Sequence, residues 1–96
     1  MKKFLLPLLL SAAFAVSALA QTPIDLQAND TMRTVLERQV GQTVDLRMKS
    51  GEKIGGKLQK VSDKLAHLTQ LTGAEFYDAV VAVDAVEAVE VRVRSR

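Results

Sequence analysis

Two adjacent glycines, Gly55 and Gly56, lie inside a run of period-two alternation, and this feature limits the fold more than any other. The run is residues 43–71, TVDLRMKSGEKIGGKLQKVSDKLAHLTQL. Val44, Leu46 and Met48 alternate with Asp45, Arg47 and Lys49, so one face is apolar and the other wet. Ser50-Gly51-Glu52 interrupts with turn chemistry. Ile54, Gly56 and Leu58 resume the alternation, but Val61 falls on the opposite parity. A phase slip of that kind marks a bulge or a strong bend, and the double glycine supplies the flexibility a bend needs. Ser62-Asp63-Lys64 is the next turn. Leu65 to Leu71 reads as a third strand, with Leu65, His67, Thr69 and Leu71 on one side and Ala66, Leu68 and Gln70 on the other. Three consecutive antiparallel strands with a bent middle member follow.

The flanks supply the rest of a small β domain over residues 30–96. Residues 21–29, QTPIDLQAN, form a flexible lead. Residues 30–40 read as a short helix, with Asp30 or Asn29 as the N-terminal cap and Gly41 as the stop. Met32, Val35, Leu36 and Val40 recur at helical spacing and predict a stripe that docks on the strands. Beyond the turn at Thr72-Gly73-Ala74, residues 77–83, YDAVVAV, form the nearly continuous apolar run of a fully buried strand. Asp84-Ala85 breaks it, and residues 86–94 alternate Val89, Val91 and Val93 against Glu90, Arg92 and Arg94. The rival reading is one helix from Tyr77 to Arg94, since Ala and Glu favour helix. The wealth of β-branched valine between Val80 and Val93 favours two strands.

The pattern Leu46-x-x-x-x-Gly51-x-x-Ile54-x-Gly56-x-Leu58-x-x-Val61-x-Asp63-x-x-x-His67-Leu68 resembles the first signature motif of the Sm-like (LSm) family. Val81-x-Val83-Asp84-Ala85-Val86-x-x-Val89 occupies the place of the second. The resemblance covers roughly residues 31–94. It implies a short N-terminal helix followed by a five-stranded, strongly bent antiparallel barrel of the Sm-like or SH3-like kind, often assembled into rings. His67, Asp84 and Ala85, the last standing where the family has Gly, depart from it. The family's base-contacting Asn corresponds to His67, and its basic residue in the second motif corresponds to Asp84. These changes, in the two motifs, fall on the pocket that the resemblance assigns to RNA.

Residues 1–20 have the three parts of a secretory signal peptide. Lys2-Lys3 is the positive start, Phe4 to Val16 the apolar stretch, and Ala18-Leu19-Ala20 the small-x-small cleavage site before Gln21. The apolar stretch is short for a membrane span, which needs about 20 residues, so no stable anchor remains after cleavage. The predicted location is the periplasm or the exterior. With no cysteine there is no disulfide and no lipid attachment through a thiol. Loss of Lys2 and Lys3 with the leader leaves 11 basic residues against 11 acidic, a net charge of zero. A neutral chain lacks the electrostatic footprint of a nucleic-acid binder and has little charge to oppose self-association.

Few residues suggest chemistry. His67 is the only histidine. It is read either as a ligand contact or acid/base, or as a polar residue on a strand face. No second histidine, cysteine or carboxylate stands at metal-ligand spacing with it, so no metal and no cofactor are predicted. Asp63 is read as ordering its turn through hydrogen bonds. Gly55-Gly56 is not a phosphate loop, because no helix and no Lys-Ser/Thr pair follow. No nucleophile, base and orienting group can be assembled by motif, so the chain is not read as an enzyme. The expectation is a non-catalytic exported module that pairs with itself or with another periplasmic protein. Its candidate surface is the outer edge of residues 77–94, with His67, Asp84, Asp63, Val89, Val91 and Val93 as candidate ligand or interface residues. RNA binding is the alternative.

Overall fold

The computed structural model describes residues 21–94, so the leader predicted over residues 1–20 lies outside the described residues. One short helix precedes a single five-stranded antiparallel sheet. Helix α1 is Met32–Arg38, and the strands are β1 (Thr43–Met48), β2 (Lys53–Val61), β3 (Leu65–Thr69), β4 (Ala79–Ala82) and β5 (Val86–Glu90). Their spatial order is β4-β3-β2-β1-β5. The mainly β reading holds, and the two-strand reading of the C-terminal third prevails over the single helix.

The helix is shorter than residues 30–40 and is capped differently. Thr31, not Asp30 or Asn29, is the N-cap. The Thr34 N–H donates to Thr31 Oγ1 over 3.3 Å, and the Thr31 N–H donates to Thr34 Oγ1 over 2.9 Å, a reciprocal capping box. Asp30 is thereby left for a different task. Its carboxylate accepts a forked pair of bonds from Arg38 at the helix's far end, together with the Gln27 N–H and the Thr34 hydroxyl. Leu36 is fully buried and Val35 nearly so, whereas Val40 is 45% exposed because the helix has already ended. Gly41 then adopts φ 96°, a left-handed conformation that costs glycine little. Its N–H donates to the Leu58 carbonyl, and the Leu58 N–H donates to the Gln42 carbonyl, so the chain passes straight from helix into sheet.

β2 is the strand on which the sheet turns. Residues 53–57 pair with β1, and residues 57–61 pair with β3. The β2–β3 register slips between Leu58 and Lys60, where Gln59 is the extra residue of a bulge. This is the predicted phase slip, and it turns Val61 toward the core. The double glycine has a different role from the flexibility inferred above. Neither residue has a positive φ. A Cβ on Gly55 would lie 2.3 Å from Asp45 Oδ1, and one on Gly56 would lie 2.8 Å from the Thr69 carbonyl oxygen. Main chain lies over Gly56, while the Asp45 and Thr72 side chains lie closest over Gly55.

β3 ends two residues early. Gln70 takes φ 50°, which turns the chain out of the strand before Leu71. The prediction of a fully buried strand over 77–83 fails. β4 covers only Ala79–Ala82, and its residues are alternately half-buried and exposed because it is an end strand of the sheet. Val83–Ala85 is a single turn of 3-10 helix, and β5 stops at Glu90 instead of running to Arg94. The core is Leu36, Val44, Leu46, Leu58, Ala66, Leu68, Val83 and Val86, with Met32, Ile54, Val61 and Val89 among its half-buried rim. Each fully buried leucine contributes roughly 1.5–3 kcal/mol. β4 and β5 are the two ends of the sheet, and no strand pairing joins them among the described residues.

Candidate functional site: the two sheet edges

The backbone at the β4 edge follows from the pairing on its other side. The Val83 N–H donates to the Lys64 carbonyl over 2.8 Å, so hydrogen-bonding groups of that parity point to β3. Antiparallel pairing alternates inward and outward groups. The N–H and C=O of Val80 and Ala82 therefore face away from the sheet. On the other end, the Lys49 N–H donates to the Ala85 carbonyl, which sets Arg47 and Asp45 as the β1 residues bonded to β5. Their partners Ala88 and Glu90 are then satisfied, and Glu87 and Val89 present their backbone groups outward. Unpaired edges of this kind accept a further strand.

Exposed apolar residues lie on β3, on β4 and in the segment before β4. Phe76 is 99% exposed, and Tyr77, Val80 and Leu65 are all at least half exposed. His67 lies at the middle of β3, with Lys60 beside it on β2 and Val80 beside it on β4. These three residues, with Ser62 and Leu65, line a shallow depression of about 180 Å³. His67 Nε2 is 3.0 Å from Asp78 Oδ2, a contact that ties the strand to the segment leading into β4. Asp78 was not singled out in the sequence, because its partner is fixed by the β3–β4 register.

The remaining predicted residues do not converge on His67. Asp84 is exposed in the turn after β4. Asp63 is exposed and pairs with Arg33 of α1 over 3.2 Å. It does not order its own turn; Ser62 does that, through its N–H to the Leu65 carbonyl and its Oγ as acceptor of the Leu65 N–H. Val89 and Val91 pack against the core, so the β5 edge offers main chain rather than a valine surface. Val93 lies beyond β5 and is half-buried. Glu90 faces Arg47 and Lys53, each over 3.6 Å and each half exposed, an arrangement that solvent weakens.

Asp30 carries the strongest electrostatic feature. The Arg38 guanidinium, first by its hydrogen bonds, and then the Gln27 N–H hold its carboxyl well below the usual carboxylate range. Among the described residues no group of three or more His, Asp or Glu side chains could hold a metal ion, and no helix is long and apolar enough to cross a membrane. No protein-family model matches the chain, and no curated protein compared with it matches either.

Proposed function

We propose that the exported chain is a self-assembling, non-catalytic binding module of the periplasm whose β4 edge pairs with the β5 edge of the next copy. The observation that carries this reading is that one small sheet has two edges unpaired among the described residues, with exposed Phe76, Tyr77 and Val80 before or on one of them. Two different edges on each copy define a head-to-tail contact, which closes into a ring where the rotation permits. The order of helix and then five antiparallel strands is the one that the Sm-like resemblance implies, and in that reading the sheet bends into a barrel. Zero net charge after leader removal and the acidic residue at Asp84 favour a protein partner over RNA.

Light scattering of the processed chain across a range of concentrations tests the assembly. An oligomer that Val80→Pro converts to monomer, with the circular dichroism spectrum retained, supports it. Proline removes an outward N–H there and no ladder bond. A chain that stays monomeric at every concentration sinks it. Tight binding of an oligo-U strand at physiological salt would favour the RNA alternative.

A further inference from the structure

The β1–β5 ladder ends in a fork, and Gln21 fills it. Asp45 pairs with Glu90, so the same register carried two residues further would pair Thr43 with Arg92. Parity also points the Thr43 N–H and C=O toward Arg92. They do not meet. The Gln21 side chain stands between them, donating from Nε2 to the Thr43 carbonyl and accepting at Oε1 from the Thr43 N–H, each over 2.9 Å. The Gln21 backbone N–H donates onward to the Arg92 carbonyl over 3.1 Å. A side-chain amide thus copies the peptide group of a missing strand residue and extends the pairing.

Gln21 is also the residue that leader cleavage would make the N-terminus. The wedge borders a cavity of about 410 Å³ lined by Thr43, Asp45, Thr72, Glu90 and Arg92. Among the described residues no hydrogen bond or ion pair engages the Asp45 carboxylate, which lies over Gly55 beside Thr72 Oγ1. Glu90 contributes a second carboxylate, shared with Arg47 and Lys53.

We infer that this cavity is a seat for the chain's own α-ammonium, so that processing completes the fold. The inference rests on the leader reading and is independent of edge assembly. In the processing step, the exporting host's peptidase hydrolyses the Ala20–Gln21 bond with water. The acyl carbon takes the water oxygen and leaves as the Ala20 carboxylate; the Gln21 nitrogen takes both water hydrogens as the C–N bond breaks and becomes an ammonium. One of its N–H groups keeps the bond to the Arg92 carbonyl. Gln21 and Asp45 line the same cavity, and among the described residues no cation pairs with the Asp45 carboxylate; Glu90, shared with Arg47 and Lys53, and Arg92 are the other charged residues of the lining. In the uncleaved chain the one hydrogen on the Gln21 nitrogen is taken by the Arg92 carbonyl, and the peptide carries no charge for Asp45 to pair with.

The sign of the pH dependence follows. A carboxylate neighbour raises the ammonium's pKa in the fold above its ordinary value of about 7.7–8.0. The stabilisation is then complete below that value and is lost as pH rises through the folded pKa.

The test expresses the full precursor in an exporting bacterial host and measures the intact mass of the product. A product beginning at Gln21 is carried forward; any other N-terminus overturns the inference along with the leader reading. Thermal midpoints are then followed from pH 6 to pH 10 for the processed wild type, Asp45→Asn and Gln21→Ala. The expected result is a fall of about 4–8 °C in the wild type above pH 8, on the order of 1 kcal/mol for a domain of this size. The fall should be absent in Asp45→Asn. It should persist in Gln21→Ala, which keeps the ammonium and has a lower midpoint throughout. A wild-type profile that matches Asp45→Asn overturns the inference. So does loss of ammonia from the folded product, because attack of the α-amine on the Gln21 side-chain amide would show that neither group is held.

Discussion

Gly56 lies directly against the carbonyl of Thr69. A Cβ at Gly56 would stand 2.8 Å from that oxygen, 3.0 Å from Leu71 Cδ2 and 3.3 Å from Leu71 Cα. The obstacle is main chain at the point where Gln70 turns out of β3, so it has no rotamer by which to withdraw. Gly56→Ala is therefore expected to destabilise by about 1–3 kcal/mol, the usual cost of overpacking. Gly55 presents the opposite case. Its closest neighbour is the end of the Asp45 side chain, which can rotate into the adjoining cavity. Gly55→Ala is expected to cost less than Gly56→Ala, and combination with Asp45→Ala should remove most of what it does cost. Urea unfolding of the three variants checks the ranking; equal losses at the two glycines would contradict it.

The Asp30–Arg38 fork sets the acid limb of stability. Asp30 is held below its ordinary pKa by Arg38 and the Gln27 N–H, while the unfolded chain titrates near 3.9. The unfolded state thus binds the proton more readily, and stability falls as pH drops below about 4 and continues to fall toward the folded pKa. Asp30→Asn should flatten that part of the profile and leave the neutral region less stable than wild type. Thermal midpoints between pH 2 and pH 7 provide the measurement. A variant with the wild-type slope would assign the acid limb to other carboxylates.

What the sequence revealed depended on whether a role was local. The strands β1 and β2 and the bulge at Gln59 were legible because alternating polarity and its slip at Val61 are written along the chain. β4 was misread for a physical reason. In YDAVVAV both parities are apolar, so period two carries no signal, and the exposed positions Val80 and Ala82 look the same as the covered ones. The helix cap was missed because Asn29, Asp30 and Thr31 are all competent caps; Arg38 decides among them by claiming Asp30. Gln21 and Asp78 were illegible because their partners, Thr43 with Arg92 and His67, are set by strand register rather than by neighbours in sequence.

The helix gives a sharp contrast between two residues of one predicted stripe. Leu36 is completely buried in the core, and Val40 is 45% exposed beyond the helix end. Leu36→Ala leaves a cavity that the sheet cannot collapse to fill, and is expected to cost about 2–5 kcal/mol. Val40→Ala should stay within about 0.5 kcal/mol of wild type, as surface changes usually do. Chemical denaturation of both variants measures this, and a large loss at Val40 would mean that the helix runs on past Arg38.

Phe76 and Tyr77 separate surface association from fold stability. Both are exposed, Phe76 almost wholly, and both precede the open β4 edge. An exposed aromatic pair contributes little to a monomer's core, so Phe76→Ser with Tyr77→Ser should leave the thermal midpoint of dilute protein within a few degrees of wild type. The same pair is costly to leave in water beside an edge that accepts strands, and such residues supply much of the energy at protein interfaces. The double variant should therefore raise the concentration needed for half-assembly by roughly tenfold or more, since about 1.4 kcal/mol suffices for that factor. Sedimentation velocity across a dilution series reads the change. If assembly is unaltered while Val80→Pro abolishes it, the contact is made by main chain alone and the aromatics lie outside it; if neither variant alters assembly, the β4 edge is not the joining surface.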